Sequence, residues 1–120
     1  MVEIDFSPEF ERWFLALNDS DTEAVARVVD LLEARGVALG YPYTSAIVGS
    51  AIAMRELRVQ SGGRPLRILY AFDPKRRAFL LLGGGKSEGD RFYQRMIPMR
   101  RQSTGGIWRK NKRSLSWRGR

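Results

Sequence analysis

Four arginines lie within residues 54–72, "MRELRVQSGGRPLRILYAF", a stretch otherwise rich in valine, leucine and tyrosine. They are Arg55, Arg58, Arg64 and Arg67. Guanidinium groups bind phosphate and carboxylate through paired hydrogen bonds, so the cluster predicts contact with an anion. A cation within a sheet is costly unless its face is open to solvent or to such an anion. The alternative is a solvated sheet face whose charge is offset by Glu56 and by the acidic first half of the chain.

The residue types that are missing narrow the chemistry. The chain has no cysteine and no histidine. It therefore has no thiol nucleophile, no Cys/His metal site and no imidazole for acid–base work at neutral pH. Catalysis would use Lys, Arg, Tyr or a carboxylate, and we predict neither a metal nor a cofactor. The absence of cysteine also fits a reducing compartment.

The formal net charge of +8 is unevenly distributed along the chain. Residues 1–53 are predominantly acidic, residues 54–99 are net positive, and residues 100–120 hold eight basic and no acidic side chains. This asymmetry predicts a defined face for an anion, of which nucleic acid is the commonest large one. The last stretch, "RRQSTGGIWRKNKRSLSWRGR", has few apolar residues and no clear period, which predicts a solvated, flexible tail.

Length and hydropathy indicate one domain. At 120 residues the chain can bury a modest core, so we predict a single domain over residues 1–99 followed by the basic tail over 100–120. No apolar run approaches the roughly 18–20 residues of a membrane span. The N-terminal "MVEIDFSPEF" is acidic, unlike a signal peptide. These features predict a cytoplasmic protein without a membrane partner.

Two helices are predicted in the first third of the chain. "SPEFERWFLAL" offers Ser7 as N-cap and Pro8 as first helical residue, with apolar residues at helical spacing. "SDTEAVARVVDLLEARG" places Ser20 and Glu23 as a capping box and ends at Gly36. Both helices should pack an apolar side against the remainder of the domain.

Three strands follow and predict an antiparallel meander. The segments "MRELRVQ", "PLRILYAF" and "RAFLLLGG" are separated by the turn sequences "SGGR" and "DPKR". Residues 37–53 have no period and are predicted to be loop, and a short helix is predicted at about 89–96. Alternation places Glu56 and Arg58 on the face of the strand away from Leu57. It does not decide the face of Arg67, because both Leu66 and Leu69 are apolar.

Three motifs in combination resemble a known family. E-L-R at 56–58, G-G-R-P-L-R-I-L-Y-A-F-D at 62–73 and G-G-G-K-S-E-G-D-R-F-Y at 83–93 together resemble the HigB-like, phage-derived Gp49-like branch of the RelE/ParE toxin superfamily. The resemblance covers roughly residues 3–99. It implies a RelE-like α+β fold, with two N-terminal helices on a twisted antiparallel sheet of three to four strands and a short C-terminal helix.

The resemblance also implies a function. Such proteins are toxins of type II toxin–antitoxin systems, typically endoribonucleases that cut mRNA in the ribosomal A site without a metal. The 2′-hydroxyl of the RNA attacks the adjacent phosphate, which requires a proton acceptor, cations for the developing charge and a donor for the leaving 5′-oxygen. The implied partners are mRNA, the ribosome and a HigA-like helix-turn-helix antitoxin, with which the toxin could form a hetero-oligomer.

Site residues carry over by position in the motifs. Arg67 matches a phosphate-binding arginine of the central strand, and Arg58 lies where the family tends to place a lysine. Lys86 matches a basic position at the end of the last strand, and Tyr93 a tyrosine that stacks on a base or carries a proton. For RNA and ribosome contacts the resemblance and the charge pattern suggest Arg55, Arg64, Arg91, Lys110, Lys112 and Arg113, with Trp108 and Trp117 as candidates to stack on bases.

Two departures from the family keep other functions open. Ser87 stands where some RelE-like nucleases have a second catalytic arginine, so that role would fall to Lys86, Arg91 or the tail. The basic tail replaces the partly acidic terminal helix usual in HigB-like proteins. The alternatives are a ParE-like inhibitor that binds a protein such as gyrase, and a non-catalytic phage-derived module that binds RNA or an antitoxin. The fold alone does not separate these functions, because it hosts more than one of them.

Overall fold

Two α-helices and a six-stranded mixed sheet form the part of the chain that the computed structural model describes, residues 2–47, 54–85 and 115–117. In chain order the elements are β1 (Ile4–Phe6), α1 (Pro8–Leu15), α2 (Asp19–Arg35), a short 3-10 helix (Gly36–Ala38), β2 (Thr44–Ala46), β3 (Met54–Ser61), β4 (Arg64–Phe72), β5 (Ala78–Gly85) and β6 (Leu115–Ser116). The fold is therefore α+β, as the sequence predicts.

The sheet has the strand order β2-β3-β4-β5-β1-β6. The meander β3-β4-β5 is antiparallel, which confirms its prediction. The expected count of three to four antiparallel strands is wrong, because β1 lies parallel to β5 and β2 forms within the predicted loop. Strands β1 and β2 have only three residues each, too few for a side-chain alternation to stand out in the sequence.

Helix α1 begins where its capping residues predict. The Ser7 Oγ accepts a hydrogen bond from the Phe10 amide at 3.0 Å, and Pro8 occupies the first turn. The same hydroxyl donates to the Leu81 carbonyl at 2.7 Å. One side chain thus caps α1 and ties its start to β5.

Helix α2 begins earlier than the sequence predicts. Its N-cap is Asn18, whose Oδ1 accepts from the Asp21 amide at 2.8 Å, so the capping box of Ser20 and Glu23 is wrong. Asparagine is as good an N-cap as serine, and here it precedes Ser20 by two positions. The helix ends at Arg35, and Gly36 has a φ of 56°, a left-handed conformation that glycine adopts without strain.

Both helices pack on one face of the sheet, called here the helix face. The core there joins residues of the helices with inward residues of the strands: Ile4, Phe6, Phe10, Val25, Val29, Leu32, Leu57, Val59, Leu66, Ile68, Tyr70 and Leu80 are among its members. Trp13 and Phe14 pack against this core. Trp13 lies directly over Gly83, where any Cβ atom would collide with the indole ring, so this close approach of α1 to β5 requires glycine.

The opposite side of the sheet, called here the second face, also buries apolar side chains. They are Met54, Leu69, Ala71, Phe79, Leu81 and Leu82. The central strand β4 therefore buries apolar residues on both of its faces, which is why strict alternation did not decide the orientation of Arg67.

Residues 115–117 belong to the folded domain. Strand β6 pairs antiparallel with β1, and Trp117 is 2% exposed. Its ring contacts Phe6 and Phe14 edge-on, and its Nε1 donates to the Asp30 carboxylate at 3.1 Å. The expected role of Trp117 in stacking on bases is wrong, since core packing consumes its ring. The predicted helix at 89–96, Trp108 and the remaining tail lie outside the described residues.

Among the described residues, no helix is long and apolar enough to cross a membrane.

Candidate anion site on the second face

Arg58 and Arg67 are direct cross-strand partners. The register of β3 and β4 places Arg58 opposite Arg67, beside the pair Glu56 and Leu69. Paired residues of an antiparallel sheet point to the same face, and these point away from the helices. The structure thus brings together two of the four predicted catalytic residues on the second face.

Arg67 is buried and partly paired. The residue is 8% exposed, its Nη1 donates to the Leu66 carbonyl at 3.0 Å, and its Nε lies 3.6 Å from Glu56 Oε1. A solvated sheet face therefore does not describe this residue. Its Nη2 has no hydrogen-bond partner among the described residues, so one edge of the guanidinium keeps donor capacity.

Arg58 is more accessible than Arg67, with 36% of its side chain exposed. Its Nη2 donates to the Ser45 hydroxyl at 3.3 Å, and its guanidinium carbon lies 5.9 Å from the centre of the Tyr41 ring. The Nε is buried and donates no hydrogen bond within the described part of the chain, because Glu56 Oε2 at 3.8 Å is too distant. Arg58 is thus held in place while its Nε lacks a hydrogen-bond acceptor among the described residues.

Glu56 lies between the two arginines. Each of its carboxylate oxygens faces the Nε of one of them, at 3.6 Å from Arg67 and 3.8 Å from Arg58. We call these three residues the Glu56–Arg58–Arg67 cluster. Two cations and one carboxylate leave it one formal positive charge, which suits a phosphodiester anion. The sequence indicated that Glu56 shares a face with Arg58, but gave it only a charge-balancing role.

Arg55 and Arg64 point to the helix face instead. The Arg55 Nε donates to Thr44 Oγ1 at 3.1 Å, and that hydroxyl shares a 2.6 Å hydrogen bond with Tyr70. Arg64 forms an ion pair with Asp21 of α2. Both side chains therefore have partners within the domain and lie apart from the cluster, and their predicted contacts with RNA or the ribosome remain predictions.

A second group of cations lies at the far end of the sheet. Arg35, Lys75, Arg76 and Arg77 border a cavity of about 600 Å³ together with Glu3. Asp73 accepts from the Arg77 Nε at 2.6 Å, which raises the pKa of Arg77. Lys75, Arg76 and Arg77 lie in the turn that follows β4. At about 3.3 Å per strand residue this turn lies roughly 20 Å along β4 from Arg67, so these cations are not part of the cluster.

The other predicted site residues lie outside the described residues. They are Lys86, Tyr93, Arg91, Lys110, Lys112 and Arg113. Their roles remain predictions, as does the consequence of Ser87. Within residues 2–47, 54–85 and 115–117 no group of three or more acidic side chains could hold a metal ion.

The arrangement contains two kinds of group that phosphate chemistry requires. Adjacent guanidinium groups can hold a phosphodiester and stabilise charge that develops on it, and a carboxylate between them can accept a proton from a bound hydroxyl group. The described residues supply both of these elements within one patch of the second face.

Comparisons with known proteins find similarity over most of the chain. The family described as "Phage derived protein Gp49-like" matches residues 12–104. A Mycobacterium tuberculosis protein named "Putative toxin HigB3" is 45% identical over 94 residues, which cover 77% of this chain and 81% of that protein. A second protein of the same organism, "Putative toxin HigB2", is 42% identical over 77 residues, or 62% of this chain and 38% of the longer relative.

Proposed function

Because the chain belongs to the phage-derived Gp49-like family, with HigB-like toxins among its relatives, we propose that it is the toxin of a type II toxin–antitoxin system. In this proposal the toxin cuts mRNA on the ribosome and so inhibits translation. The proposed cleavage requires no metal ion and uses a basic site on the second face of the sheet.

The observation that carries the proposal is the Glu56–Arg58–Arg67 cluster. The two arginines are direct cross-strand partners, and the single carboxylate contacts both. Like charges directly opposite each other destabilise a sheet, so a fold that retains them gains most when a phosphate lies between them. Two neighbouring guanidinium groups can hold a phosphodiester through paired hydrogen bonds, and this supports RNA as the substrate.

The reaction proceeds by attack of a ribose 2′-oxygen on the adjacent phosphorus. The 2′-O–P bond forms as the P–O5′ bond breaks, the 2′-proton passes to a base, and the 5′-oxygen takes up a proton as it leaves. The products are a 2′,3′-cyclic phosphate and a 5′-hydroxyl. Arg67 holds the scissile phosphate, Arg58 stabilises the extra negative charge, and Glu56 is positioned to accept the 2′-proton. Lys86 and Tyr93 are the candidates to protonate the 5′-oxygen.

Control of such a toxin would come from a cognate antitoxin. A HigA-like antitoxin would neutralise the toxin by covering the basic face with acidic or apolar segments, and would form a hetero-oligomer with it. This part of the proposal is supported by the family and by the net charge of +8.

The test is primer extension on a defined mRNA held in purified ribosomes, compared with the same mRNA free in solution. We expect cleavage within the A-site codon on the ribosome only. Arg67→Ala should reduce the cleavage rate by about 10²–10³-fold, since it removes a charge that stabilises the transition state. Cells that express this variant should grow normally.

The control is Arg27→Ala, which removes an exposed cation from α2 and leaves the cluster intact. Thermal melting of all three proteins checks that they are folded. Unchanged cleavage by folded Arg67→Ala would refute the assignment of Arg67. The absence of any cleavage by a folded wild-type protein that binds ribosomes would favour a binding module.

A further inference from the structure

Tyr41 is the most exposed large apolar side chain in the described part of the chain. It is 84% exposed, compared with 74% for Leu15 and 55% for Val37. A single exposed apolar residue on a surface needs no explanation, but Tyr41 does not lie at a random place. Its ring lies over the guanidinium of Arg58, with 5.9 Å between the ring centre and the Arg58 Cζ.

The position of Tyr41 is fixed relative to the cluster. A 3.0 Å hydrogen bond from the Tyr43 amide to the Gly40 carbonyl closes a turn around it, and the Arg58 amide donates to the Tyr43 carbonyl at 2.7 Å. The Arg58 side chain leans toward β2, where its Nη2 reaches Ser45. From Arg67 through Arg58 to Tyr41, the second face therefore presents a pair of arginines followed by an aromatic ring at the β2 edge.

We propose that the Tyr41 ring is a stacking platform for a nucleobase next to the phosphate held by Arg58 and Arg67. One face of the ring contacts Arg58, and the exposure of the residue leaves the other available to a base. Stacking on an aromatic side chain suits any base, and an adjacent cation strengthens it. The platform would set which nucleotide of a bound RNA lies beside the scissile phosphate. This inference rests on the proposed function.

The experiment uses ribosome-bound mRNA in which 2-aminopurine replaces one base of the A-site codon. The ribose at the cleavage position carries a 2′-O-methyl group, so the RNA stays intact. The fluorescence of 2-aminopurine falls when the base stacks on an aromatic ring. We expect the wild-type protein to quench the probe at one of the three codon positions.

Tyr41→Ala should lose this quenching and weaken RNA binding at least about five-fold, while Tyr41→Phe retains both because stacking requires the ring and not its hydroxyl. Leu15→Ala, a change of another highly exposed apolar residue on α1, should behave as wild type. Because Tyr41 is exposed, we expect Tyr41→Ala to remain folded, and thermal melting verifies this.

The outcomes separate the inference from the proposed function. If Tyr41→Ala quenches the probe and binds RNA as wild type does, while Arg67→Ala still loses binding, the stacking role of Tyr41 is overturned. The proposed nuclease function would then still stand. Weaker binding by Tyr41→Ala with undiminished quenching would also overturn it, because Tyr41 would then only position Arg58. No binding by the wild-type protein would overturn both.

Discussion

The two opposed arginines are tolerated because one carboxylate serves both. Arg58 and Arg67 would repel each other across the strand pair, and Arg67 is nearly buried. Glu56 lies within 4 Å of each Nε, so it offsets much of that repulsion. The three side chains therefore depend on one another, and a change in one alters the position of the other two.

Glu56→Gln separates the charge of this residue from its size. The amide keeps the volume but cannot accept the 2′-proton, so we expect cleavage to slow by roughly 10²–10⁴-fold. The measurement is the single-turnover cleavage rate on ribosome-bound mRNA.

Gln60→Ala is the matched control, because Gln60 is exposed on the same face of β3. Affinity for uncleavable mRNA should be retained or increased in Glu56→Gln, since a negative charge has been removed beside the phosphate. A cleavage rate equal to wild type would exclude Glu56 as the proton acceptor.

Asp5 provides a test of pH dependence. Burial raises the pKa of Asp5 above 3.8, with Glu3 and Asp73 acting in the same direction and Arg77 opposing them. The folded state then binds the proton more tightly than the unfolded state. The stability contributed by Asp5 therefore falls as pH rises from the ordinary pKa of 3.8 through the raised pKa of the folded state. We expect Asp5→Asn to stabilise the protein near neutral pH, and this gain to shrink toward about pH 4.

Urea unfolding of both proteins across this pH range measures the difference. Ser116→Ala, an uncharged and exposed change opposite Asp5, should follow wild type at each pH. A stability difference between Asp5→Asn and wild type that stays constant with pH would contradict the burial of the Asp5 charge.

The sequence identified the arginines of the candidate site but not how they are arranged. The types of Arg58 and Arg67 indicated an anion site, and alternation correctly placed Glu56 beside Arg58. The face of Arg67 was undecided because β4 buries apolar side chains on both sides. Tyr41 carried no sequence signal, since its exposure and its contact with Arg58 follow from how the loop packs on β3.

At the scale of elements, Asp21 joins α2 to the meander. Its carboxylate accepts from the Ser61 hydroxyl at 2.5 Å and pairs with Arg64, and both of these residues flank the β3–β4 turn. Asp21 is also in the first turn of α2, where a negative charge is favourable. One buried side chain therefore fixes the start of a helix against a hairpin.

Asp21→Ala should destabilise the protein by roughly 1–3 kcal/mol, because it leaves the buried Ser61 hydroxyl without its acceptor. Chemical denaturation provides the measurement. Asp19→Ala removes an exposed acid from the same helical turn, and we expect it to cost at most about 1 kcal/mol. Equal losses in the two variants would show that the contact with the hairpin adds nothing.

Element prediction succeeded where local signals were strong. Ser7, Pro8 and Gly36 marked helix ends correctly, and the turn sequences defined the meander. The start of α2 was misplaced because Asn18 and Ser20 are both good caps. Strand β1 forms only because β5 and β6 provide partners on either side, and no local pattern encodes that.

At the scale of the whole molecule, Trp117 closes the core from the end of the sequence. It packs among aromatic residues of β1 and α1, within a segment that reads as a basic tail. Its neighbours in sequence are polar or charged, so the sequence gives no sign that Trp117 is buried. The charge of this segment predicts a solvated tail, whereas the structure buries Trp117.

Trp117→Ala should cost about 3–5 kcal/mol, the range for truncation of a large buried aromatic residue. Thermal or urea unfolding measures the loss. Trp117→Phe should recover much of it by restoring the ring contacts, although not the hydrogen bond to Asp30. Ser116→Ala, exposed on β6, serves as the control, and a Trp117→Ala variant as stable as this control would refute the anchor.

The placement of β1 has a consequence for the order of folding. Ile4 pairs with Ala78, and Asp5 with Ser116, whereas β3, β4 and β5 follow one another through short turns. Contacts between distant parts of a chain form slowly, because a long loop must close before any pairing is gained. We therefore expect the hairpin that bears Arg58 and Arg67 to form early, and docking of the two chain ends beside β5 to be the late, rate-limiting event.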